Sequence, residues 1–126
     1  MKNVVLAAGE PELFGDFREE LERHRDVRVL FCAAAKEFFD LIKNKEVAVV
    51  AVAQQLGDTD GLSFVKSLVA RYPQVACVMV SGYSAEKFHD QTEGLGVLMQ
   101  LPLAPGAQDA AKLLELLESI EVLMTM

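Results

Sequence analysis

Five apolar runs, spaced at fairly regular intervals, leave this chain few ways to fold: Val4 to Ala8, Val27 to Phe31, Val47 to Ala53, Val75 to Ser81 and Val97 to Leu101. They are rich in Val and nearly continuous rather than alternating, as strands buried on both faces of a sheet must be. Between them the apolar spacing turns helical, at Leu13, Phe17, Leu21 and His24, at Phe38, Leu41 and Ile42, and at Leu62, Val65, Leu68 and Val69. A weaker fourth helix is expected over roughly 85–93, anchored by Phe88 with Leu95 beyond its end, and a last one over about 107–124. The punctuation agrees: Pro11 suits a first helical position, Asp60 and Ser84 suit N-caps, and Tyr72-Pro73 closes the third helix. Strand and helix alternating five times predicts an α/β fold, a parallel five-stranded sheet with right-handed crossovers and helices on both faces.

A chain of 126 residues fits one domain, expected over 1–126. Its 52% hydrophobic and 25% charged residues suit a sizeable core and argue against disorder. Against 12 Lys and Arg stand 19 Asp and Glu, a net charge of -7, so the overall field repels nucleic acid. The first apolar run is broken by Gly9, Glu10 and Pro11, too short for a secretory leader or a membrane span. A cytoplasmic protein that binds neither nucleic acid nor membrane is expected. Cys32 and Cys77 fall on strands separated by about three strand spacings, ~14 Å, beyond disulfide reach, so both are expected as buried free thiols.

In an open parallel sheet the functional crevice lies beyond the carboxyl ends of the strands, where the strand order reverses. The ends here are Ala7 with Ala8, Ala53, Ser81, and Leu101 with Pro102. Most are small or aliphatic where a catalytic α/β protein would place acids, bases or phosphate-binding glycines.

The spacing of several landmarks resembles the receiver domain of bacterial response regulators over essentially the whole chain. These are Asp60-Gly61-Leu62 after the third strand, Leu68 and Pro73 around the third helix, Ser81-Gly82-Tyr83-Ser84 after the fourth strand, and Pro102 after the fifth. The resemblance implies a flavodoxin-like (βα)5 domain with strand order 2-1-3-4-5. It places the family's phosphoacceptor on Ala53, its metal-binding acid pair on Ala7 and Ala8, its hydroxyl on Ser81 and its lysine on Leu101. An aromatic position that couples to the hydroxyl falls on Leu98. Phosphoryl transfer to a carboxylate needs an acceptor oxygen, carboxylate-held Mg²⁺ and a cation, none of which Ala53, Ala7, Ala8 or Leu101 supplies. The resemblance is therefore to a degenerate, pseudo-receiver member with no catalytic residue, metal or cofactor. Such aliphatic residues are expected to close the crevice into the core, each buried CH₂ contributing about 0.8 kcal/mol. By the same likeness the Leu101-Pro102 bond is expected to be cis.

Other polar chemistry is sparse. Glu10, Glu12, Asp58 and Asp60 could line a cation-binding rim, but acids at helix N-termini serve more often as caps. His24 and His89 lie on separate helices without metal-ligand spacing. Ser81 has no His or Lys placed to activate it. A flavodoxin-type phosphate cradle is contradicted by Gly9-Glu10-Pro11-Glu12, and neither G-x-G-x-x-G, a P-loop nor C-x-x-C occurs. Two functions remain: a phosphorylation-independent protein-interaction module, and a small-molecule sensor with an apolar crevice. The first is favoured by the last helix. Leu113, Leu116, Leu117, Ile120, Leu123 and Met124 form a stripe that Leu114 widens to about half the circumference, whereas a core-facing stripe needs only ~100°. The excess edge, with Leu98, Leu116, Ile120 and Leu123, is expected to join the fourth helix and fifth strand in binding a protein partner or a second copy.

Overall fold

In a computed structural model of the protein, residues 1–125 are described, with side chains through Leu123. Five strands, β1 (Lys2–Ala7), β2 (Val27–Cys32), β3 (Val49–Val52), β4 (Ala76–Val80) and β5 (Val97–Leu101), pair in parallel in the order β2-β1-β3-β4-β5. The helices between and after them are α1 (Gly15–Glu22), preceded by a 3-10 turn at Pro11–Phe14, then α2 (Ala35–Ile42), α3 (Gly61–Arg71), α4 (Ala85–Thr92) and α5 (Ala107–Thr125). This is the parallel α/β sheet expected from the β-α alternation, in the flavodoxin-like strand order that the receiver resemblance implied. β3 and β4 are shorter than their apolar runs, and Val47, Ala53, Val75 and Ser81 are buried just beyond their ends.

The period-2 alternation of the strands sorts the core into two layers. Val4, Leu6, Val49, Ala51, Val78 and Val80 face Phe14 and Phe17 near and on α1, and Leu113 on α5. Val5, Ala7, Val50, Val52, Cys77 and Met79 face Phe38 on α2, Phe64 on α3 and Phe88 on α4. The rings of Phe38 and Phe64 meet edge-on at 5.2 Å, a favoured aromatic geometry. Register slips between Cys77 and Val78 opposite β5, a bulge that leaves both Leu98 and Met99 packed against the α1/α5 layer.

Local capping follows the sequence. The Asp60 carboxylate accepts from Ser63 N (3.0 Å) and from Ser63 Oγ (2.7 Å), and Ser84 Oγ accepts from Lys87 N (3.2 Å). α4 gives way to β5 through Gly94 (φ +83°), a left-handed backbone that a side chain disfavours.

Candidate functional site

The carboxyl ends of the strands are tied together by backbone hydrogen bonds. Ala53 N donates to the Ala7 carbonyl (2.9 Å), Ala8 N to Cys32 (3.1 Å), and Ser81 N to Leu101 (3.0 Å). The pleat then separates the side chains. Ala8, Ala53 and Leu101 share the α1/α5 layer, whereas Ala7 points into the opposite layer among Val52 and Phe64. All four are buried, and none carries an oxygen or nitrogen beyond the backbone. These positions do not fit a Mg²⁺ ion, which requires oxygen donors.

Ser81 is also buried, and its Oγ accepts from Tyr83 N (3.1 Å), closing the turn after β4. Gln100, which the sequence reading passed over, secures the same turn from β5. Its Nε2 donates to the carbonyls of Ser81 (3.0 Å) and Tyr83 (2.8 Å). A polar side chain beside the last core leucine was the available signal for it. Beyond this turn, Lys87 Nζ sits 4.1 Å from the Tyr83 ring centroid.

Above Ala53 the strand ends do not seal. A cleft of about 490 Å³ opens there, floored by Leu13, Ala53, Leu56, Val80 and Leu103. This corrects the expectation that aliphatic residues would close the crevice. An alanine cannot reach across the gap, and backbone bonds fix the loops around it. Gly9 N donates to the Gln55 carbonyl (3.0 Å), Leu56 N to Thr59 (2.8 Å) and Gly57 N to Ala33 (2.6 Å). The cleft is open to solvent, and neither Ala7 nor Leu101 lines it. Glu10, Gln54 and Gln55 form its polar rim. A second expectation also fails: among the described residues no peptide bond is cis, so Leu101-Pro102 is trans. The trans turn after β5 carries Leu103, 55% exposed, over Gly82.

Of the four loop acids, Asp58 and Asp60 cap helices, whereas Glu10 makes no side-chain cap on the turn it precedes. Asp58 Oδ1 accepts from Ala35 N (2.8 Å) and Oδ2 from Lys36 N (3.2 Å), so a residue of the β3–α3 loop caps α2. The Ala35 bond foremost, then that from Lys36, hold its carboxyl below the usual range. Asp60 is lowered by the Ser63 hydroxyl and then by the Ser63 N–H. Among the described residues no three His, Cys, Asp or Glu side chains converge as a metal site. Cys32 and Cys77 are buried free thiols, each pushed up to about 12, chiefly by burial.

The surface expected to bind a partner is mixed. Leu98 is half-buried against the core, as is Leu114. Leu116 and Ile120 are half-buried, while Leu123 is 72% exposed. The side chain of Met124 lies outside the described residues. A shallow groove of about 600 Å³ borders Leu123. Among the described residues no helix is long and apolar enough to cross a membrane.

No family model matches this sequence, and no curated protein matches it. Solved structures do. A CheY-like response regulator receiver domain protein from Methanospirillum hungatei JF-1 is 19% identical, with a TM-score of 0.79 over 96% of this chain and 97% of the other. The non-phosphorylated receiver domain of the stress response regulator RcsB from Escherichia coli is 15% identical, with a TM-score of 0.80 over 94% and 93%. The signal receiver domain of an HD domain-containing protein from Pseudomonas fluorescens Pf-5 is 17% identical, with a TM-score of 0.77 over 92% and 85%. The chain thus has the receiver-domain fold.

Proposed function

We propose that residues 1–126 form one degenerate receiver-like domain, a cytoplasmic signalling module that works by binding a protein partner or a second copy, without phosphorylation and without enzymatic activity. One observation carries this reading. At the strand ends where phosphoryl transfer needs an acceptor, a metal cage and a cation, Ala7, Ala8, Ala53 and Leu101 are buried and apolar. What is left to transmit a signal is surface, and Leu116, Ile120 and Leu123 on α5, with Leu98 on β5, provide apolar surface that the polar exposed face of α4 would extend. The charge of -7 disfavours nucleic acid as the partner.

The experiment is light scattering across a concentration series, with and without beryllofluoride and Mg²⁺. Self-association or a tight complex that ignores beryllofluoride, and that Leu116→Glu with Leu123→Glu abolishes while circular dichroism stays native, is the expected result. A response to beryllofluoride would sink phosphorylation independence. Association untouched by the double substitution would move the interface elsewhere. The sensor reading retains one specific observation in its favour, the open cleft over Ala53.

A further inference from the structure

We infer that the cleft over Ala53 is a binding site for a small amphiphile with a flat apolar body and a cationic amine, and that Glu10 selects the charge. The inference rests on reading the cleft as a ligand site and adds the ligand's chemical class.

The volume of about 490 Å³ falls within the ~300–1,000 Å³ typical of small-molecule sites. Its shape is preformed, because the β1–α1 and β3–α3 loops that wall it are joined by the Gly9 to Gln55 backbone bond (3.0 Å). Binding therefore does not have to order the walls first. Leu13, Leu56, Val80 and Leu103 line the cleft together with Ala53, so aliphatic groups make up most of its wall. An apolar ring can displace water from that wall, including from the largely exposed Leu103. Glu10, Gln54 and Gln55 supply the polar side chains of the lining, which can orient a ligand.

The charge of the ligand follows from what lines the cleft. Among the described residues Glu10 is its one ionisable lining residue; no Lys, Arg, His or Asp contributes. Among the described residues the Glu10 side chain makes no ion pair or hydrogen bond, and neither do the side-chain amides of Gln54 and Gln55. A carboxylate with no cation beside it, on a protein of net charge -7, repels phosphates and carboxylates and attracts an amine. The same arrangement that cannot hold a phosphoryl group therefore suits a ligand of opposite charge.

The test compares three indoles that share a body and differ in charge: tryptamine, indole-3-ethanol and indole-3-acetate. Each is titrated to about 5 mM, enough to see the weak affinity expected of fragments, while amide spectra of the full chain are recorded. Tryptamine is expected to shift the amides of Gly9, Leu13, Ala53, Leu56 and Leu103. It should bind about fivefold more tightly than the alcohol, with the acetate weakest. Glu10→Gln should bring tryptamine down to the alcohol, and Leu103→Ser should weaken both alike. Both positions are exposed, so the fold should persist. Binding in the cleft with no charge order, or with the acetate best, overturns the proposed class while leaving a ligand site. No shift of these amides with any of the three overturns the class and the site together.

Discussion

Gly61 stands where the backbone of α3 crosses the end of β3. Its N–H donates to the Gln54 carbonyl (2.9 Å), and a Cβ built on it would fall well inside contact distance of the Ala53 carbonyl oxygen. The glycine of the Asp60-Gly61 step is therefore required by close approach rather than by a turn. Gly61→Ala should force α3 away from the sheet and cost roughly 1–3 kcal/mol, the usual range for overpacking. Urea denaturation would check this; an unchanged midpoint would show that the contact relaxes freely. Gly61 was legible in the sequence as a landmark. The carbonyl it must clear was not, because that contact depends on how α3 docks.

Among the elements, α2 shows how an N-terminus can depend on a distant residue. Its own N-cap is Ala34, which offers no side-chain acceptor, and Asp58, 23 residues beyond Ala35, supplies the carboxylate. Asp58 titrates lower when folded than the ordinary ~3.9 of an unfolded aspartate. Its contribution is thus complete above the unfolded value and is lost as pH falls through the folded one. Asp60, also lowered, adds to the same acid-side loss. The urea midpoint should be flat from neutrality to about pH 5 and fall below it. Asp58→Asn should lower the midpoint at pH 7 and flatten the acid slope. An equal slope in the variant would assign the acid loss to other carboxylates. The rule that acids favour helix N-termini picked out Asp58 correctly, but it named no helix, since α2 lies behind it in sequence. For the last helix the outcome was mixed. Periodicity placed α5 and its wide apolar stripe, while the bulge in β5 decided that Leu98 leans on the core.

For the whole molecule, the two cysteines report on a single layer. Cys32 on β2 and Cys77 on β4 both face the α2/α3/α4 side of the sheet, three strand spacings apart. With both thiols pushed up to about 12 by burial, roughly one in ten thousand is thiolate at pH 8. A disulfide reagent such as 5,5′-dithiobis(2-nitrobenzoate) should find both nearly inert in the native protein and fully reactive in concentrated urea. The two should become reactive together along the unfolding transition if the sheet melts as one cooperative unit. Earlier exposure of Cys32 would show that the β2 edge opens first.

The order of strands and helices, the caps at Asp60 and Ser84, the buried thiols and the apolar character of the strand ends at Ala7, Ala8, Ala53 and Leu101 were all readable from residue types and local spacing. Apolar run length, helical period and side-chain chemistry are properties a chain carries before it folds. The cleft, the trans Leu101-Pro102 bond, the Gln100 clamp and the Asp58 cap belong to the folded state. Each depends on the distance between segments far apart along the chain, and small residues that suggest a closed pocket say nothing about whether the loops above them can approach. Here the Gly9 to Gln55 backbone bond holds two of those loops at a fixed separation, and methyl groups are too short to fill the space between them.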